Sequence, residues 1–378
     1  MNILVLGCGL VGRAIAHDLS QDVNFNVTVT DIDEVSLKKV NSNRIKTVPA
    51  NLLDENRLKE LLADAEMAIN AVPGAIGFKT LQTIIKSGKN VVDIAFYAED
   101  FLQLNELALG HGVTAVCDMG VAPGMSNLLA AYLAWKLDKA DTVKIMVGGL
   151  PKIRTAPFEY SATFSPSDLV EEYTRPARLV VNGKMVAKPT LSDVENVQIE
   201  GLGTLEAFNS DGLRSLIQTL DVPDMAEKTL RYPGHVSKVM TLIEGGFFDE
   251  KPLNIGGIEV KPVDVTAKLL FKKLDVEHGE EDVTVMKIIA EGTKDGKPTR
   301  VWCELFDHYD TENMIHSMAR TTGYTATVTA RLLAKGIIKQ KGIIAPEFLA
   351  KDEYIVRSLL DGLELKGVVY DFFEEIIQ

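Results

Sequence analysis

The N-terminal stretch NILVLGCGLVG ends a strand pattern, turns on glycines and opens a helix, and few folds accept that order. Gly7, Gly9 and Gly12 stand in G-x-G-x-x-G spacing, ahead of the helical run GRAIAHDLSQD. Gly7 permits a tight turn, Gly9 lets a pyrophosphate approach the backbone, and Gly12 lets the helix pack close to the sheet. Leu10 and Val11 open that helix, so their amides face the anion too. Nineteen residues after Gly12, Asp31 ends a second strand pattern, NVTVTD. A carboxylate there accepts hydrogen bonds from a ribose 2′-OH and repels a 2′-phosphate, which favours NAD over NADP. FAD uses the same fingerprint, but the compact alternation that follows shows no FAD-specific addition. Strand, motif, helix, strand and terminal acid in sequence outweigh an unliganded glycine turn.

To about residue 120, β-rich runs alternate with helical ones: LLDENRLKELLAD, MAINAVP, FKTLQTIIKSG, NVVDIA, DFLQLNELALGHG and VTAVCDMG. This predicts an α/β fold whose N-terminal domain is a Rossmann, doubly wound parallel sheet. Beyond it, ARLVVNGKMVAK and VMKIIAEGTKDGKPTRVWCELFD turn at Asn182-Gly183 and Asp295-Gly296. Helical pieces such as PSDLVEEY and GHVSKVMTLIEGG lie between them, predicting an α+β catalytic domain with a mainly antiparallel or mixed sheet. ENMIHSMARTTGYTATVTARLLAKG reads as a long apolar helix. The expected divisions are 1–125 for NAD binding, 126–315 for catalysis and dimerisation, and 316–378 as a helical segment packing back on the first domain.

At 378 residues and 46% apolar composition, two cores are within reach and disorder is not expected. A net charge of −13 argues against nucleic-acid and anionic-membrane partners, both of which need a basic surface. No apolar segment approaches the roughly 20 residues that span a bilayer. The N-terminus has no basic region of a signal peptide, and Cys8, Cys117 and Cys303 read as reduced thiols in a cytoplasmic protein.

In doubly wound sheets, ligands sit beyond the carboxyl ends of the strands. The loop 71–77, with Ala71, Val72 and Pro73, therefore belongs to the cofactor site, and IAFYAED and DMGVAPGMSN are further candidates. Ser126-Asn127 can cap the helix after the second loop. If the chemistry is hydride transfer, the protein supplies position and a proton acceptor. Asp118 can be that acceptor or a turn cap, and Asp93 is its rival. His235 can act as acid or base, or make a local bond at a helix start. Tyr97 can be a pocket wall or core. Arg231 and Arg175 can pair with buried acids such as Glu171, although arginine also grips a substrate carboxylate in bidentate fashion. No metal spacing is present; FDHYD reads as a strand end and the charged run 277–282 as solvated loop.

Together GCGLVG, INAVPG, DMGVAPGMSN, GGLP, EEYTRPAR, SDGLRS, TLRYPGH and MARTTGYTA give a chain that resembles the saccharopine dehydrogenase-like family along essentially its whole length. Within that family the L-lysine 6-dehydrogenase branch is the nearest. The resemblance implies NAD-dependent oxidation of an amine, homodimers, a small amino-acid substrate and a C-terminal helix returning to the first domain. It also implies substrate contacts at Phe96 and Tyr97, and an α-carboxylate contact at Arg231. The saccharopine-forming branch carries an acid where this chain has Ala122, which disfavours a larger two-headed substrate. The alternatives are a saccharopine or carboxynorspermidine type of reductase, and a non-catalytic NAD-binding regulator.

Overall fold

The structure, a computed structural model, describes residues 1–40, 42–162, 166–274, 276 and 279–377. The first strands are β1 (Asn2–Leu6), β2 (Asn26–Asp31), β3 (Ile45–Pro49), β4 (Met67–Asn70), β5 (Asn90–Asp93) and β6 (Thr114–Val116). Next come β7 (Lys139–Pro151), β8 (Ala177–Val181), β9 (Lys184–Lys188), β10 (Glu195–Ile199), β11 (Gly203–Asn209) and β12 (Asp224–Arg231). The last are β13 (Leu253–Ile255), β14 (Ile258–Val260), β15 (Asp282–Lys294), β16 (Lys297–His308), β17 (Gly342–Ile344) and β18 (Tyr370–Ile376).

The chain divides into two compact units. One comprises Met1–Lys136, Gln218–Leu220 and Met318–Asp371; the other holds the remaining described residues. The first contains a seven-stranded parallel sheet in the order β17-β6-β5-β4-β1-β2-β3. Strands β4 and β6 are buried at every residue, and β1 and β5 at all but their first. That continuous apolar run is what a parallel sheet covered on both faces requires. The expected alternation is there, with two additions. One is β3, preceded by the short helix Glu34–Lys38, which the Asp33 carboxylate caps at the Val35 and Ser36 amides. The other is β17, only three residues long and drawn from the far end of the chain.

The second unit is built on a mixed nine-stranded sheet in which β12 pairs parallel to β7, while the other registered pairs are antiparallel. Both predicted hairpin turns occur. Asn182 and Gly183 take φ of 50° and 73°, and Asp295 and Gly296 take 51° and 72°, the two left-handed positions of a type I′ turn. Helices Pro166–Thr174, His235–Glu244 and Pro262–Leu274 cover this sheet's aromatic cluster of Tyr160, Tyr173, Phe208 and Phe248. The C-terminal stretch differs from an all-helical segment, since it supplies β17 to one sheet and β18 to the other. Three residues carry no readable period, and the alternation of acids with aromatics in YDFFEEI looks like a polar tail until an edge strand receives it. The charged run also differs from expectation. Positions 277–278 lie outside the described residues, and Asp282 is buried, accepting the Ser317 amide at 2.6 Å.

The long helix Ser317–Ala334 is tied to helix Leu10–Ser20 by one buried acid. Arg331 reaches the Asp18 carboxylate at 2.6 Å, and Lys366 binds its other oxygen. Burial alone would raise the Asp18 carboxyl, but the two cations outweigh it and hold it below the usual range. We expect Arg331→Met to lower the unfolding free energy by about 3 kcal/mol, because it strips a buried acid of a partner. The difference from wild type, measured by urea unfolding, should shrink as the pH falls from about 4, where the unfolded Asp18 protonates, toward the lower value at which the folded carboxyl does.

Candidate functional site

The glycine turn is fixed by backbone proximity. A Cβ on Gly7, where φ is +100°, would lie 2.3 Å from the Ala71 carbonyl oxygen, and one on Gly12 would lie 2.1 Å from the carbonyl oxygen of Gly7. Nothing stands within 4 Å of a Cβ placed on Gly9. The protein's own packing therefore explains two glycines and leaves the third bordering open space, where a pyrophosphate needs close approach. Asp31 spans the mouth of the turn: one oxygen accepts the Cys8 amide at 2.6 Å and the other the Asp33 amide at 2.9 Å. Burial, with Asp31 and Asp33 adding to it against Arg13, pushes the Cys8 thiol up to about 11. Leu10, Val11 and Ala71 are half-buried beside the turn, Val72 is buried, and Pro73 is exposed as the cap of helix Gly74–Lys86.

Beyond the ends of β4, β5 and β6 lies a buried polar group. Asp93 is fully buried; its carboxyl accepts the Ala95 amide and the Tyr97 hydroxyl, each at 2.9 Å. Burial raises it to about 8 despite those bonds and a contact from Asn70, and the charge of Asp118 adds to the rise. Tyr97 is thus a buried residue whose hydroxyl serves Asp93, while its neighbour Phe96 is half-exposed. Asp118 is 2% exposed and has φ of 51°, a left-handed backbone that aspartate tolerates. The Met119 amide donates to the Asp93 carbonyl at 2.9 Å, tying this loop to β5. Gly124 takes φ of 138°, and a Cβ there would lie 2.0 Å from the Gly120 carbonyl oxygen. Asn127 then reaches back to the Gly124 amide at 3.1 Å and accepts the Ser126 hydroxyl at 2.8 Å, starting helix Met125–Ala134. The candidate stretch DMGVAPGMSN is this folded loop.

The remaining candidates belong to the second unit. Arg231 ends β12, 3% exposed, and donates from one terminal nitrogen to Glu172 at 2.6 Å and from the other to the Leu230 carbonyl at 2.9 Å. The Tyr160 ring lies 4.1 Å from its guanidinium carbon. Burial raises the Glu172 carboxyl, with Arg231 pulling against it. Arg175 pairs with Glu171, one helical turn away, at 3.0 Å. Both arginines therefore hold acids, Arg231 by one terminal nitrogen and Arg175 within its own helical turn. His235 opens helix His235–Glu244 fully buried. Its Nδ1 lies 3.0 Å from the Phe158 carbonyl and must donate there, so Nε2 accepts the Tyr173 hydroxyl at 2.9 Å. Burial, then the charge of Arg231, lowers it to about 3. His235 is thus a neutral acceptor at physiological pH, not the acid its ordinary titration range suggests. Glu172 escaped the sequence reading, although the spacing of Leu169, Glu172 and Tyr173 marks one helical face.

Asp93 gives a test within the first unit. Folded, it holds its proton to about 8, whereas the unfolded carboxyl ionises near 4. Rising pH between these values therefore favours the unfolded chain, by up to about 1.4 kcal/mol per pH unit. Asp93→Asn keeps the shape of the neutral acid and removes this loss. Urea unfolding from pH 5 to 8 should show the variant gaining on wild type as pH rises, and parallel profiles would refute a protonated Asp93.

The chain matches two domain families: "Saccharopine dehydrogenase NADP binding domain" over residues 3–116 and "Saccharopine dehydrogenase C-terminal domain" over 120–368. It is 23% identical to the L-glutamate-forming, NADP(+) saccharopine dehydrogenase of Schizosaccharomyces pombe, covering 100% of this chain and 99% of that one. It is 22% identical to the mitochondrial alpha-aminoadipic semialdehyde synthase of Bos taurus, over 97% of this chain but 47% of that protein. With the carboxynorspermidine synthase of Vibrio cholerae it shares 21% identity over 94% of each. Among solved structures, the apo L-Glu-forming saccharopine dehydrogenase of Saccharomyces cerevisiae superposes with a TM-score of 0.81 at 19% identity, covering 100% of both chains. No helix among the described residues is long and apolar enough to cross a membrane.

Proposed function

The chain belongs to the saccharopine dehydrogenase family of oxidoreductases that bind a pyridine nucleotide, and on that premise we propose that it oxidises L-lysine at the ε-carbon with NAD. The semialdehyde formed would cyclise to piperideine-6-carboxylate. The observation that carries this reading is the acidic lip of the glycine turn. Asp31 is held across it by the Cys8 amide, with Asp33 two residues on. A ribose 2′-OH can donate to such a carboxylate, whereas a 2′-phosphate would add its charge to two acids. This supports NAD here, although the names of several relatives carry NADP(+). Ala122 in the Asp118 loop supports a small substrate, since it offers no polar side chain to a second amino-acid arm.

Held at the turn of Gly7, Gly9 and Gly12 with Asp31 at its ribose, a nicotinamide nucleotide would supply the hydride acceptor for the ε-carbon. Asp118 receives the proton lost from the substrate nitrogen, leaving an iminium at the ε-carbon. Water adds there, Asp118 helps to move its proton, and ammonium leaves as the aldehyde forms. Asp93, neutral beside Asp118, keeps the pair from carrying two buried negative charges. Arg231 receives the α-carboxylate. Phe96, half-exposed, lines the substrate path, and Tyr97 braces Asp93. Arg175, anchored by Glu171, borders the same helix as Glu172. His235, a neutral acceptor, holds Tyr173 in place. The family resemblance adds a homodimer.

A second reading is that the chain joins or splits a larger amino-acid adduct, as the names of its relatives describe for those proteins. Both readings are tested by following nucleotide reduction with lysine, saccharopine and polyamines as substrates. NAD reduction with lysine, yielding a cyclic imine, is the expected result; turnover of saccharopine alone would favour the second reading, and no turnover at all a binding protein. Asp118→Asn should lower kcat by about a hundredfold or more with NAD binding retained. Near-normal turnover in that variant would move the proton acceptor elsewhere.

A further inference from the structure

Two arginine–carboxylate pairs in the second unit differ in a way that packing does not explain. Arg178 grips Asp211 in bidentate fashion, Nε to one oxygen at 2.7 Å and a terminal nitrogen to the other at 2.8 Å. Such a pair is satisfied on both sides. Arg231 meets Glu172 through a single bond, at 2.6 Å. The Nε–H of Arg231 and the Oε2 of Glu172 are both buried and have no hydrogen-bond partner among the described residues. One unused donor beside one unused acceptor, each cut off from water, is costly unless something fills them.

The surroundings narrow what that can be. Glu227, Thr229 and Arg231 alternate along β12 and so share one face of it, and all three are buried. Ser210 bonds both Glu227 and Thr229, so the strip beside Arg231 is already satisfied. Tyr160 covers the guanidinium, and His235 is neutral. The Arg231–Glu172 pair is therefore balanced in charge. An added carboxylate alone, or an added ammonium alone, would leave one net charge in a dry setting. A zwitterion adds none. Its carboxylate would take the free Nε–H and its ammonium the free Oε2. The Glu172 side chain is 14% exposed against 3% for Arg231, so the acid stands nearer to solvent.

We infer that Glu172 and Arg231 together form a clamp for the zwitterionic head of an α-amino acid, with Glu172 receiving the α-ammonium and Arg231 the α-carboxylate. This deepens the amino-acid reading above and rests on it, but it does not depend on which carbon is oxidised. It makes Glu172 a residue that selects amino acids against simple diamines and simple acids.

The test is equilibrium binding to the NAD-loaded protein, using norleucine, hexanoate and hexylamine. These share a six-carbon chain; norleucine and hexanoate carry no amine at the far end, and hexylamine, whose one amine is of the oxidisable kind, is titrated with NADH in place of NAD. Norleucine should bind about tenfold or more tightly than either single-charge analogue. In Glu172→Gln the advantage of norleucine over hexanoate should fall to about threefold or less, while NAD binding stays unchanged. An advantage over hexanoate that survives intact in Glu172→Gln would overturn the clamp. So would equal binding of the three ligands by wild type, a comparison that stands even if the variant does not fold. Lysine turnover reports separately: norleucine bound through Glu172 without lysine oxidation would sink the lysine assignment and keep the clamp, and the converse would do the opposite.

Discussion

The close approach of Gly7 to the Ala71 carbonyl, and of Gly12 to Gly7, sets the end of β1 against the loop after β4 and the start of the first helix. No side chain fits at either contact, so this geometry is available only to glycine. Its consequence is a turn that borders open space at Gly9, with the Asp31 carboxylate pinned beside it by the Cys8 amide. The parallel sheet around it places the ends of β4, β5 and β6 on the same side. There Asn70 and Asp93 end β4 and β5, and the Asp118 loop follows β6. Nucleotide binding and the acid pair therefore both follow from strand direction and the tightness of one turn.

Buried charge is handled differently in the two units. In the first, Asp18 is neutralised by two cations and serves to join helices, whereas Asp93 avoids charge by keeping its proton. In the second, Arg231 keeps its charge because Glu172 and the Tyr160 face compensate it, and that charge helps keep His235 neutral. A protonated aspartate and a half-satisfied ion pair are features that a purely structural core would tend to avoid.

Much of this was legible in the residues. The glycine spacing, the acid ending β2 and the two Asx-Gly turns are local signals, and each appears where its chemistry requires it. β3 and β17 were not legible. The first lies in a short mixed stretch, and the second is three residues that find β6 more than two hundred positions away, where the Thr114 hydroxyl meets the Gln340 carbonyl. At the site, locality again divides what could be read. Arg175 with Glu171 is an i,i+4 pair visible in EEYTRPAR, but Arg231 with Glu172 joins β12 to a distant helix. The neutrality of His235 depends on Tyr173 and the Phe158 carbonyl, contacts that no short window contains.

Cofactor choice turns on what the acidic lip of the glycine turn does to the nucleotide. Calorimetric titration of wild type and Asp31→Ser with NAD and with NADP addresses it directly. Wild type should bind NAD at least about tenfold more tightly than NADP, and Asp31→Ser should narrow this gap mainly by weakening NAD. Equal or tighter NADP binding by wild type would contradict it.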